Sequence, residues 1–182
     1  NINMHIFKKK WFASIVVVIL IIAAAFLGGV FSVRGMRNRI MDSFWHDQND
    51  AFSVQHYVEQ VIADTTSLNQ LAEKYVPTLQ EQTQLVADRI QNLSAAKTQD
   101  EKYNCLNSVL ASLEALYESV PMDAFNYDDR LALMGGYADL TQVIYAIEKS
   151  AYNSEVAAFN TVKKTFPMNA LCTLSGVGSV KA

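Results

Sequence analysis

The sequence predicts an all-α fold in which a single N-terminal transmembrane helix is followed by an antiparallel helical bundle of long helices. Three observations lead there. Residues Trp11 to Val33 form a run of 23 without one charge. After it, apolar residues recur at steps of three and four rather than in alternation. Only three prolines, Pro77, Pro121 and Pro167, punctuate the 182-residue chain, and each falls between periodic runs.

The uncharged run holds fourteen Val, Ile, Leu or Phe residues. As an α-helix it rises about 34 Å, enough to cross a hydrocarbon core of about 30 Å. Each of those side chains favours insertion by about 0.3–0.6 kcal/mol near the helix centre. Lys8, Lys9, Lys10 and Trp11 on one side, and Arg34, Arg37 and Arg39 on the other, are the expected membrane-interface anchors. Two readings compete. A cleaved secretory signal could be cut near Ala23–Ala25, but its apolar region typically spans about 7–15 residues. A buried core helix usually keeps a polar stripe, and none is present. The chain begins at Asn1 rather than methionine, which leaves its true N-terminus open.

Basic residues on both sides nearly cancel in the positive-inside rule. The balance tips toward a short N-terminal tail inside and the bundle outside, on the outer or periplasmic face of a bacterial inner membrane. Cys105 and Cys172 fit one disulfide or two reduced thiols equally, and the spacing of two cysteines does not choose.

Six of the fifteen basic residues lie at or before Arg39, whereas all eighteen acidic residues follow it. The remainder is therefore strongly acidic and repels phosphate backbones, which excludes nucleic acid as a partner. The expected organisation is a basic tail over 1–10, the transmembrane helix over 11–33, one helical bundle domain over 34–171 and an apolar, Gly-containing tail over 172–182.

Within the bundle, helical periodicity runs from about Met41 to Tyr75, with a break expected around Asp47 to Asp50. Pro77 opens a segment reaching about Ala96. Thr98-Gln99-Asp100-Glu101 has the form of a capping box, and the helix it starts places Tyr103, Leu106, Leu110, Leu113 and Tyr117 on one face. Val120-Pro121 ends it. Asn126 or Asp128 caps a last long helix in which Tyr137, Leu140, Ile144, Ile147 and Ala151 step by three and four. Gly135-Gly136 lies near its start and costs about 1 kcal/mol per glycine relative to alanine. Either a close helix crossing requires the pair, or the helix begins nearer Tyr137.

Tyr152-Asn153, Phe159-Asn160 and Phe166-Pro167 repeat at seven residues. On one helix the three aromatics drift only about 20° per repeat and form a coiled-coil-like seam, with the asparagines beside it. Core packing and amide hydrogen bonds account for such a pattern. Pro167 is expected to stop the helix.

Glu148, Ala151-Tyr152-Asn153, Val156, Phe159-Asn160 and Thr165-Phe166-Pro167 together resemble the C-terminal signature of the LemA family. The likeness covers about residues 105 to 171. The Arg37-Asn38-Arg39 segment and the Val120-Pro121 break are also similar to that family's juxtamembrane segment and its Tyr-Pro break. One departure is the missing counterpart, near Phe52 to Thr66, of the family's basic, Leu-Ile-Pro-rich stretch. The resemblance implies a membrane-anchored bundle without established catalysis that accompanies membrane proteases or other envelope proteins.

Enzyme chemistry has little to stand on. His46 with Asp50 and His56 with Glu59 are polar pairs, but a metal site gathers three or four convergent ligands. Asp100-Glu101 and Asp128-Asp129 read as helix N-terminal acids. Hydrolase elbows, phosphate loops and dinucleotide fingerprints are absent. No catalytic, cofactor-binding or metal residue is therefore assigned, and no cofactor. Ala24 with Gly28 and Ala25 with Gly29 place small residues four apart, a weak form of the motif by which spans pair, so a homo-oligomer is one expectation. The sequence reading is a single-pass scaffold or adaptor of the cell envelope whose partners are the lipid bilayer and other membrane proteins, a membrane protease among them. The rivals are a regulatory subunit of an envelope protease or hydrolase complex, and a ligand-sensing helical ectodomain.

Overall fold

In the computed structural model the helix of the uncharged run does not end at the arginines. Helix α1 (Ile2–Trp45) continues through them as one element of 44 residues. The structure describes residues 2–48, 51–75 and 79–181, with side chains from residue 11 onward except residue 12. Every regular element among them is helical: α1, α2 (Val54–Tyr75), α3 (Gln80–Ala95), α4 (Gln99–Ser119), α5 (Tyr127–Glu148), α6 (Ala151–Val162) and α7 (Met168–Ser175), with one 3-10 turn at Met122–Ala124. They divide into two compact units, Ile40–Ala157 with Lys181–Ala182 and Asn1–Arg39 with Ala158–Val180.

The larger unit is the antiparallel bundle. α2 lies between α3 and α5, and α3 lies beside α4. Short connections force each helix back along its predecessor. The expected break is present after Trp45. Gln48 and Ala51 exchange backbone hydrogen bonds at 3.0 and 2.9 Å. Asp47 then accepts the Ser53 N–H at 2.7 Å, and the Ser53 hydroxyl caps α2 by accepting the His56 N–H at 3.1 Å. Asp50 and Pro77 lie outside the described residues.

The capping box at α4 is complete: Thr98 accepts from the Glu101 N–H, and the Glu101 carboxylate accepts the Thr98 N–H. The inward stripe of α4 is Lys102, Leu106, Val109, Leu113 and Leu116, continued by Val120. Tyr103, Leu110 and Tyr117 flank it half-buried. α2 contributes Val54, Val58, Val61, Thr65, Leu68, Asn69 and Ala72, and α5 contributes Leu133, Leu140, Val143 and Ile147. Burying each large aliphatic side chain is worth about 1.5–3 kcal/mol.

α5 begins at Tyr127 with Asn126 as its cap, so the glycine pair sits inside the helix. Gly136 answers to a close crossing: a Cβ there would lie 2.7 Å from Leu68 Cδ2 on α2. Gly135 has no such neighbour within 4 Å.

In the smaller unit, α1 is exposed around its circumference from Ala13 to Gly28 apart from the half-buried Ile15. Cover begins at Gly29 and Val30, and Val33 is buried. A Cβ on Gly29 would meet Leu171 of α7 at 2.9 Å, so of the two small-residue pairs one is already occupied within the chain. Gly28 remains open.

Three expectations change near the C-terminus. α6 ends at Val162, because Lys164 and Thr165 bond back three residues, to Thr161 and Val162, and tighten the last turn. Pro167 therefore does not stop that helix but stands at the N-cap of α7. Phe166 is consequently off the seam and 84% exposed, while Tyr152 and Phe159 are buried. Residues 172–175, expected in an apolar tail, are the last turn of α7. Gly176 closes it at φ +67°, and the Val177 N–H reaches the Cys172 carbonyl at 2.9 Å, a left-handed cap that favours glycine. Both cysteines are free thiols, Cys172 buried and Cys105 half-buried.

Candidate functional site

The repeat asparagines serve the backbone, each in its own unit. In the bundle, Asn153 Nδ2 donates to the Ile147 carbonyl at 2.9 Å, holding the end of α5, and Asn153 Oδ1 accepts the Tyr103 hydroxyl at 2.8 Å. Tyr152 beside it is buried, stacks with Tyr103 and donates to the Lys181 carbonyl at 2.7 Å. Phe44 packs edge-on to Tyr152 at 5.1 Å between centroids. Burial holds the Tyr103 phenol far above its usual range.

In the smaller unit Asn160 clasps Val180 from both sides, donating to its carbonyl at 2.7 Å and accepting its N–H at 3.2 Å. An amide can satisfy an extended peptide this way because its own donor and acceptor lie side by side. Phe159 is buried beside it in sequence, whereas Phe166 and Pro167 are exposed.

The interface anchors separate. Trp11 is 69% exposed. Arg34 donates to the Ser175 carbonyl at 3.2 Å, the end of α7, where a cation also meets the negative pole of the helix. Arg37 is half-buried and Arg39 exposed. The side chains of Lys8, Lys9 and Lys10 lie outside those described.

Two open grooves stand out on the bundle among the described residues. One, of about 350 Å³, is lined by Tyr103, Leu106, Asn107, Ile144, Glu148 and Asn153 among others. Its central amide and phenol are committed to each other and to α5. The second, of about 310 Å³, includes Asp64 and Asp139. Burial, then the Asp139 charge, raises the Asp64 carboxyl above the ordinary range.

Among the described residues no three His, Cys, Asp or Glu gather for a metal. His46 turns to Asp42 at 2.9 Å, Asp50 lying outside the described residues. His56 stacks on Phe52 at 4.3 Å, and Glu59 accepts from Gln55 at 2.7 Å.

Two features escaped the sequence reading. Asp129 is more than a helix-start acid: it accepts the Tyr75 hydroxyl and Lys74 Nζ, the latter at 3.0 Å, and so joins the end of α2 to the start of α5. Lys102 is 5% exposed, with its ammonium 5.7 Å from the Trp45 ring centre. Its place in the 102, 106, 109, 113 stride was the available signal.

The outer face of α5 is unusually apolar. Tyr127, Leu131, Met134 and Tyr145 are 71%, 51%, 50% and 60% exposed. The first three step by four and three and therefore share a face. No known family model, curated protein or solved structure matches the chain.

Proposed function

We propose that this protein is a membrane-anchored helical scaffold or adaptor of the bacterial cell envelope, LemA-like, without catalysis of its own. The observation that carries the reading is the stretch from Ala13 to Gly28, whose large apolar side chains are turned outward around the helix. Such a surface is costly in water and is what a bilayer accommodates, with its backbone hydrogen bonds closed within the helix. The chain then crosses once, with the acidic bundle as a tethered head on the outer face of the inner membrane.

The Tyr127, Leu131 and Met134 face of α5 supplies the surface on which another membrane protein, or a second copy, would pack. Apolar side chains at i, i+4 and i+7 fit a partner helix laid along them. The committed hydrogen bonds of Tyr103 and Asn153 support structure rather than turnover.

Alkaline extraction of membranes and in-cell crosslinking test the two halves of this reading. The full chain is expected to stay with the membrane pellet. A photoreactive residue at position 131 or 134 is expected to yield a discrete adduct, with one membrane protein such as a protease or with another copy. Release into the supernatant removes the anchor. Adducts from an exposed bundle position such as 114 but none from 131 or 134 remove the scaffold face.

A further inference from the structure

Helix α7 and the turn before it carry an apolar surface that the anchor alone does not explain. From Thr165 to Val180 the chain has no charged residue, and Lys163-Lys164 precede it. α7 turns Cys172 and Ser175 inward, and Leu171 onto Gly29 of α1. Its other side shows Phe166 at 84% and Leu174 at 67% exposure, bordering an open apolar groove with Asn169, Ala170 and Thr173.

The position of this surface along α1 is fixed by two contacts. Leu171 lies against Gly29, and the Ser175 carbonyl accepts from Arg34. Gly29 is four residues, about 6 Å, inside the last residue of the uncharged run. The order of the contacts runs α7 in the same sense as α1, which points its Phe166 end toward the exposed apolar stretch rather than toward the arginines. Two polar groups on the outer side are closed locally: Thr173 Oγ1 donates to the Asn169 carbonyl at 2.9 Å, and Asn169 Oδ1 accepts the Ala170 N–H at 2.7 Å. Hydroxyls bonded back to their own helix are what hydrocarbon tolerates.

We infer that the Phe166–Leu174 face of α7 is a second membrane element, seated in the leaflet beside the end of the anchor. The inference rests on the proposal that α1 spans the bilayer. The occupant is lipid because the surface is continuous with the exposed apolar part of α1.

The test is depth-dependent fluorescence quenching of the full chain in phosphatidylcholine–phosphatidylglycerol vesicles with brominated acyl chains. Trp11→Phe and Trp45→Phe clear the background, and single tryptophans are introduced by Leu20→Trp, Phe166→Trp, Leu174→Trp and Tyr127→Trp. Positions 20 and 166 are expected to be strongly quenched, 174 to a lesser degree, and 127 not at all. If position 20 is quenched while 166 is no more quenched than 127, α7 is not in lipid, whether water, protein or a second copy covers it, and the anchor stands. If position 20 is itself unquenched, the anchor reading fails and takes this inference with it.

Discussion

Asn153 joins three parts of the bundle through one side chain, taking the Tyr103 hydroxyl of α4 at 2.8 Å while giving its amide hydrogen to Ile147 at the end of α5 at 2.9 Å. Removing the amide leaves a half-buried phenol and an end-of-helix carbonyl without that partner. Asn153→Ala is expected to cost about 1–3 kcal/mol. Tyr103→Phe removes donor and demand together and should cost less. A double-mutant cycle in chemical denaturation of the detergent-solubilised chain should show coupling of at least about 0.5 kcal/mol between them. Additivity would mean the bond contributes nothing.

The two adjacent glycines of α5 should respond in opposite ways. Gly135→Ala meets open space and gains about 0.5–1 kcal/mol from helix propensity and a less flexible unfolded chain. Gly136→Ala pushes a methyl to 2.7 Å from Leu68 Cδ2, and Leu68 is buried, so its repacking offsets that gain. In a Leu68→Ala background the penalty at 136 should vanish. Equal effects at 135 and 136 would contradict the close crossing of α2 and α5.

Much of this fold was legible because local rules and tertiary packing agree in it. The break after Trp45, the box at Thr98 and the cap at Asn126 each come from side chains that satisfy nearby N–H groups. The seven-residue repeat misled at its third member because periodicity does not register where a helix stops. Two i→i−3 bonds after Phe159 end α6 before Phe166 is reached. Gly136 and Asn160 depend on residues 68 and 180, distant in sequence, and no local pattern announces such partners. Asp129 likewise read as a helix-start acid, since Tyr75 stands 54 positions away.

The box at Thr98 offers a test of how much α4 depends on local closure. Thr98→Ala removes the acceptor of the Glu101 N–H, at a cost of about 1 kcal/mol. Thr98→Ser should retain most of the stability, and Thr98→Asp should match it because an acid also suits the positive helix end. Hydrogen exchange would localise the loss of Thr98→Ala to the first turns of α4. Loss spread evenly over α2 and α5 would place the role of Thr98 elsewhere.

Acid should unsettle the bundle through three carboxylates that are better bonded folded than unfolded. The Ser53 N–H holds Asp47 below its usual range, the Lys97 and Thr98 N–H groups hold Glu101 down, and the Tyr75 hydroxyl with Lys74 does so for Asp129. A group whose folded pKa is depressed contributes stability fully above its ordinary value and loses it as pH falls through the folded value. The loss therefore begins near the ordinary values of 4.5 for Glu101 and 3.8 for the aspartates and continues below them. Asp64 works the other way. Burial and the neighbouring Asp139 raise it, so its ionisation at neutral pH opposes folding. Asp64→Asn should raise the thermal midpoint at neutral pH and steepen the acid fall, because the group that gains stability on protonation is gone, whereas Asp129→Asn should lower the neutral midpoint and flatten that fall. Thermal melts of both variants across this range, followed by circular dichroism in detergent, decide it: an acid fall of unchanged steepness in Asp129→Asn would show that the α2–α5 tie does not depend on its charge.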